Sequence, residues 1–296
     1  MPSETLPVAH AATTDHPEKR RKHPAPIVRD HRLWASIALL ATILIVVSLG
    51  NWLAPDDPHA LSGRPLEQPS ATHPLGTNDI GQDLFSQLLA GGRASLVVGF
   101  GAAALSTAIA WALGLMSGLG ERWYASVGGV SDLFLALPFL PVTILIVAHL
   151  GPQIPVIAIT LGLISWPAYA RVIRARVATE LTAGYVEAAR ATGAPPTTVL
   201  LRHVLPATIP VAIAKFVLTV QSAIVIEASL AFLGLSDPRT VSWGGTIHRG
   251  VGYGLVFASG AWRWWLMPPI VCIALLVCSV ALIGWTLEGA SARNYR

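Results

Sequence analysis

Few side chains in this sequence are placed to do chemistry. Glu227 is a carboxylate inside an apolar run, a few residues from its end. The stretch 185–206 gathers Tyr185, Glu187, Arg190, Arg202 and His203 among small residues. Cys272 and Cys278 share one apolar run but lie six residues apart, so on a helix they face different sides and read as packing residues. His10, His16, His23 and His31 are spread too widely for a zinc-ligand spacing. No Gly-x-x-x-x-Gly-Lys-Ser/Thr phosphate loop occurs, and neither His-Glu-x-x-His nor Gly-x-Ser-x-Gly is found. The expectation is a non-catalytic chain that binds neither ATP nor a metal nor any other cofactor itself.

The elements that must position these residues are apolar. Hydrophobic residues make up 53% of the 296 and charged residues 12%, where soluble domains carry about 25% charged. Mean hydropathy is +0.58. A bilayer core of about 30 Å takes roughly 20 apolar residues as helix. Six runs fit, at 33–53, 95–119, 130–150, 154–170, 209–232 and 266–287. Backbone groups in lipid must pair within the segment or in a closed barrel. A barrel needs alternating strands of about ten residues, and runs such as Ile43-Leu44-Ile45-Val46-Val47 do not alternate. The predicted class is all-α integral membrane, with Pro138 and Pro141 kinking the third span.

The sequence pI of 9.4 and net charge of +4 reflect basic residues in loops beside apolar spans, so no nucleic-acid partner is expected. Lys19, Arg20, Arg21, Lys22, Arg29 and Arg32 precede the first run. Arg171, Arg174, Arg176, Arg190 and Arg202 lie between the fourth and fifth, and Arg293 and Arg296 follow the sixth. They outnumber those of the opposite loops, which hold Arg64, Arg93, Arg239, Arg249 and Arg263. The positive-inside rule then puts both termini and the loop 171–208 in the cytoplasm of a multi-pass plasma (inner) membrane protein. Residues 1–32 read as a disordered cytoplasmic tail, 54–92 as an external loop and 289–296 as a short cytoplasmic tail. The first apolar run is too long and too late for a signal peptide and reads as a retained anchor.

The loop 171–208 has an internal plan. Tyr185, Ala188, Ala189 and Thr192 fall at near-helical spacing, and small side chains there admit a close partner. Gly193 suits a left-handed helix cap. Pro195 and Pro196 suit the first turn of a second helix, and Pro206 resets the chain before the fifth span. The physical reading is a helical knob. Glu187-Ala188-Ala189, Gly193 and His203-Val204-Leu205-Pro206 together resemble the EAA loop of ABC importer permeases. That resemblance implies a coupling helix docking in a cleft of a separate ATPase. It implies roles for Tyr185, Glu187, Ala188, Ala189, Gly193, Arg202, His203 and Pro206.

Further stretches resemble the dipeptide/oligopeptide/nickel permease family, in its second-permease type. They are His73-Pro74-Leu75-Gly76-Thr77-Asn78-Asp79-Ile80-Gly81-Gln82-Asp83, Trp166-Pro167, Glu227-Ala228-Ser229-Leu230-Ala231-Phe232-Leu233-Gly234 and Ser242-Trp243-Gly244. The likeness covers about 33–288. Gln82 stands where the family usually has Arg, Ala207 where Asn is common, and Pro269 where Gly follows Pro268. The final Gly284-Trp285-Thr286-Leu287-Glu288 lacks the usual Gly-Asp pair. The resemblance implies a type-I ABC permease fold of six transmembrane helices, with its core at 93–288. The implied partners are a second homologous permease, two ABC ATPase subunits carrying ATP-Mg, and a solute-binding protein. The implied cargo is di- or oligopeptide, with nickel or metal-chelate complexes as the alternative. A six-helix channel or membrane enzyme without ATPase is the remaining alternative.

For Glu227 two readings stay open. A carboxylate at mid-span costs about 2.5–3.5 kcal/mol to insert, so it either faces a pathway or partner permease, or pairs locally near the helix end. Asp132 and Lys215 sit near span ends and reach the interface. Gly114 and Gly118 form a small-xxx-small pair for close helix packing.

Overall fold

In lipid a chain that cannot hydrogen-bond to solvent closes its backbone into helices, and most of the described residues are helical. The computed structural model describes residues 31–293, so the expected tail at 1–32 lies outside it except for its last two residues, which begin the first helix, and 294–296 lie outside it as well. In chain order the helices are α1 (His31–Ser48), α2 (Gly50–Leu53), α3 (Leu84–Met116), α4 (Glu121–Ala136), α5 (Phe139–Leu150), α6 (Ile154–Leu181), α7 (Gly184–Ala191), α8 (Pro196–Val199), α9 (Leu205–Phe232), α10 (Trp243–Gly252), α11 (Trp262–Trp265) and α12 (Met267–Arg293). A 3-10 turn closes α3 at Ser117–Leu119, and a π-helical turn joins α8 to α9 at Leu200–Val204. No strand forms among the described residues; only two isolated bridges pair Leu61 with Gln82 and Thr77 with Asp83.

Four of these stretches are long and apolar enough to cross a membrane: Leu84–Leu119, Ile154–Leu181, Pro196–Phe232 and Trp262–Thr286. The expected third span is not one straight helix. Leu137 is extended and Pro138 caps α5, so α4 and α5 meet at 79° and make at most one broken span. Proline removes a donor and restricts the residue before it, which is why the break falls at Leu137–Pro138 and not at Pro141, inside the first turn of α5. The helix Leu33–Ser48 is apolar but shorter than the four; Leu49 interrupts it before α2. By length and apolarity the described residues therefore hold four helices able to cross a membrane, or five if α4 and α5 make one broken span, where six were expected.

Several helices overrun the apolar runs that announced them. α3 starts at Leu84, so 84–92 is helix and not external loop. α6 continues to Leu181, and the fifth-span helix reaches back to Pro196. Only 182–195 of the stretch 171–208 lies outside the long helices, and α7 fills most of that.

α3 is the central helix, packed along α6 and α9. Small residues make the approach close. A Cβ on Gly114 would stand 2.5 Å from Ile173 Cγ2, and one on Gly118 would stand 2.8 Å from both Leu200 Cδ1 and Val177 Cγ1. The core lies between these three helices and α12. One cluster, around Ala110, Trp166, Ile173, Val177, Val186, Val199 and Val204, fills the end nearest α7. Another, around Leu84, Val256, Ala261 and Trp265, fills the opposite end. Large apolar side chains such as Leu133, Leu145, Ile159 and Trp285 point outward, as a lipid- or protein-covered surface requires.

Candidate coupling loop and buried polar contacts

α7 is held by sequence-local chemistry at its C-terminus. Gly193 has φ +85; the Gly193 N–H donates to Arg190 O at 2.9 Å and the Ala194 N–H to Ala189 O at 3.1 Å. This is the Schellman pattern, with glycine in the left-handed position. Ala189 and Ala194, which face each other across it, both pack on the core below. The knob inferred from the sequence is therefore present: helix, glycine stop, second helix.

Within α7, Val186 is fully buried and anchors the helix in the core cluster. Tyr185, Glu187, Ala188, Arg190 and Gly193 are exposed, and Ala189 is partly so. Glu187 and Ala188 thus offer a small exposed surface with one carboxylate, while Ala189 is turned partly to the core. Arg202 is exposed, and His203 is partly buried with its ring 6.2 Å from that of Tyr185.

Pro206 does not reset the chain as expected; the helix runs through it. Its ring would clash with the carbonyl four residues back, and it has no N–H to donate. The widened turn just before it accommodates this: the Leu205 N–H bonds to Leu200 O, five residues earlier. Arg202 and His203 sit in that turn. Single π turns inside α-helices recur at functional positions, and an apolar pattern around a proline gives no sign of one.

Two residues beneath α7 escaped the sequence reading. Glu180, in the last turn of α6, is 6% exposed. Arg176, one turn earlier, pairs with its Oε1, and the Tyr185 hydroxyl donates to its Oε2. Glu180 and Arg176 at i,i+4 could have been noticed as a helix ion pair, but nothing in the sequence places Tyr185 beside them.

At the other end of the bundle Glu227 is 3% exposed. Its Oε2 accepts from Ser95 Oγ of α3 at 2.8 Å, and Ser242 stands beside the same carboxylate. Ser242 also caps α10, accepting from the Gly245 N–H at 3.2 Å. Glu227 therefore joins α9 to α3 beside the start of α10, and none of the other expected site residues lies near it.

The segment before α3 is a hydrogen-bonded fold of its own. Asp83 caps α3 through Ser86 N at 2.7 Å and meets His73 Nδ1 at 3.1 Å. Asn78 Oδ1 accepts from the backbone of Ile80 and Gln82. Gln82 Oε1 accepts from Asn78 and Gln87, and Gln82 Nε2 donates to His59 O. Arg93 donates to Val47 O and Ser48 O at 3.2 and 2.8 Å, placing a cation on the C-terminal carbonyls of α1, where a helix favours one. Among the described residues no three His, Cys, Asp or Glu side chains come together as a metal-ligand set.

A chain of several apolar helices long enough to span a bilayer defines a multi-pass membrane protein. The family model described as binding-protein-dependent transport system inner membrane component matches residues 106–287. The chain belongs to that family, and within it to the ABC importer permeases of the dipeptide type. It is 34% identical over 287 residues to the di/tripeptide transport system permease protein DppC of Pseudomonas aeruginosa, covering 90% of this chain and 92% of that one. It is 32% identical over 261 residues to a putative peptide permease protein of Brucella suis, covering 87% and 85%. It is 32% identical over 254 residues to the probable D,D-dipeptide transport system permease protein DdpC of Escherichia coli, covering 84% and 83%.

Proposed function

We propose that this chain is a transmembrane subunit of an ATP-driven, binding-protein-dependent importer of di- or oligopeptides. In this reading it is non-catalytic, has the six-helix type-I permease fold with α1 as the first membrane helix, and keeps both termini and α7 in the cytoplasm. It pairs with a second homologous permease. Two ABC ATPase subunits carry ATP-Mg, and a solute-binding protein delivers cargo at the α10 end.

The observation that carries the proposal is the exposed face of α7. Glu187 and Ala188 are presented outward while Val186 is locked in the core and Ala189 packs against it, so a partner seated on α7 has a stiff connection to α6 and α9. The names of the relatives support the cargo class. ATP binding draws the ATPases together, α7 follows, and the spans switch the side on which the pathway opens. A ligand moves such an equilibrium only by binding one state more tightly, so ATP and the loaded binding protein each favour one state. The coupling is reciprocal: a docked permease changes the ATPase's nucleotide affinity.

The test is co-purification of the ATPase subunit with the Gly193→Trp and Glu187→Arg permeases, with cargo-stimulated ATP hydrolysis measured in proteoliposomes. Loss of both from a folded permease is expected. Unchanged recovery and stimulation would remove α7 from the coupling path and return the channel reading.

A further inference from the structure

Glu180 is a carboxylate at the last turn of α6, close to the surface yet 6% exposed. Burying a charge is costly unless it is paired and hydrogen-bonded. Both of its oxygens are used: Arg176 takes Oε1 and the Tyr185 hydroxyl takes Oε2. The Arg176 side chain is itself only 13% exposed, so this is not the solvated surface pair whose contribution is small.

Its position matters more than its burial. Thr182 and Ala183 are the only residues between α6 and α7. Their N–H groups bond back to Thr179 O and Glu180 O, so backbone contacts define where α6 ends. What sets the angle of α7 against α6 is side-chain contact: Val186 in the core on one side, and Tyr185 on Glu180 on the other. Tyr185 is 47% exposed, so its ring is half on the surface of α7 while its hydroxyl reaches the buried carboxylate. The same ring stands 6.2 Å from that of His203, in the π turn that leads into α9. Tyr185 thus meets the end of one span and the start of another from within α7.

We infer that Glu180 is a positioning residue for coupling: by holding Tyr185 it fixes α7 to α6, so that displacement of α7 tilts α6 and is not absorbed at Thr182–Ala183. This rests on the reading of α7 as the ATPase docking element, which it deepens. Glu180 makes no docking contact in this scheme; it decides how much of the docking motion reaches the spans.

The experiment uses the reconstituted importer with Glu180→Ala, Glu180→Gln and Tyr185→Phe permeases. It reads ATPase subunit recovered per permease and cargo moved per ATP hydrolysed. Spin-label distances between positions 178 and 191 are measured in the full-length permease with Cys272→Ser and Cys278→Ser. For Glu180→Ala the expected result is unchanged ATPase recovery, about a tenfold fall in cargo per ATP, and a broadened distance distribution, as loss of a charge-assisted bond implies. Tyr185→Phe, which removes only the hydroxyl, should give a similar broadening, and the Glu180→Ala/Tyr185→Phe double variant should be no worse than either alone. Glu180→Gln, which keeps an acceptor for Tyr185, should recover part of the yield per ATP, and it stands in if the alanine variant does not fold. Unchanged cargo per ATP with an unchanged distribution overturns the inference and leaves docking intact. Loss of ATPase recovery in the Glu180 variants with a narrow distribution also overturns it, by making Glu180 a docking contact. Failure of the docking reading is separately visible, because Glu187→Arg would then leave recovery unchanged.

Discussion

Ser95 donates its hydroxyl proton to the Glu227 carboxylate at 2.8 Å, across 132 residues of sequence and between two spans. Ser242, which caps α10, stands beside the same carboxylate at the end opposite α7. Glu227→Ala leaves the Ser95 hydroxyl without its acceptor in a buried site and should lower stability by about 1–3 kcal/mol. Glu227→Gln, which still accepts from Ser95, should cost less. Thermal unfolding in detergent, followed by tryptophan fluorescence, checks the order; an alanine variant as stable as the parent would sink it.

Gly114 touches Ile173 so closely that any side chain must displace it. Gly114→Val should separate α3 from α6 at a cost of about 1–3 kcal/mol from overpacking, seen as reduced folded yield. Gly129→Ala is the control, since nothing stands within 4 Å of the added carbon and the change should be neutral.

Gly193 is different, because its restriction is conformational. Its φ is +85 and no atom lies within 4 Å of an added Cβ. Gly193→Ala places an L side chain in the left-handed region at about 1–2 kcal/mol, while asparagine tolerates that region better. Trypsin cleavage after Arg190 in the purified permease should quicken about fivefold or more for alanine, with Gly193→Asn between. Equal rates for all three would mean that the cap does not hold α7.

Pro206→Ala restores a backbone donor in the first turn of α9. The π turn at Leu200–Val204 should then relax toward α-helix, rotating Arg202 and His203 relative to Tyr185. Hydrogen exchange across 200–206 should slow and cargo transport should fall. Unaltered exchange would show that the π turn does not depend on the proline.

Asp83 both caps α3 and meets His73. Asp83→Ala should cost about 0.5–2 kcal/mol through the cap and loosen the segment before it, so that endoproteinase Glu-C cuts after Glu67 sooner. Asp83→Ser retains a cap but loses the carboxylate for His73, and should fall between.

The sequence by itself determined the class and the outline: apolar run length demanded membrane helices, and Glu187-Ala188-Ala189 with Gly193 foretold a helix stopped by glycine. These features are local, since a span is a property of twenty consecutive residues and a Schellman cap of six. Where each helix stops was less legible. The ends of α3 and α6 continue past their apolar runs because cap chemistry at Asp83 and contacts with α7, not hydrophobicity, decide them. The 79° break at Pro138 and the π turn before Pro206 illustrate the same limit. Both prolines interrupt an apolar pattern in the same way, and only their neighbours in space settle whether the chain bends or widens. The Ser95 partner of Glu227 and the Tyr185 partner of Glu180 were beyond the sequence altogether. Ser95 is 132 residues from Glu227, and Tyr185 reaches Glu180 only because Val186 turns α7 back onto the core. Tertiary structure alone decides such contacts, because a buried carboxylate takes whichever donors the packed helices bring within reach.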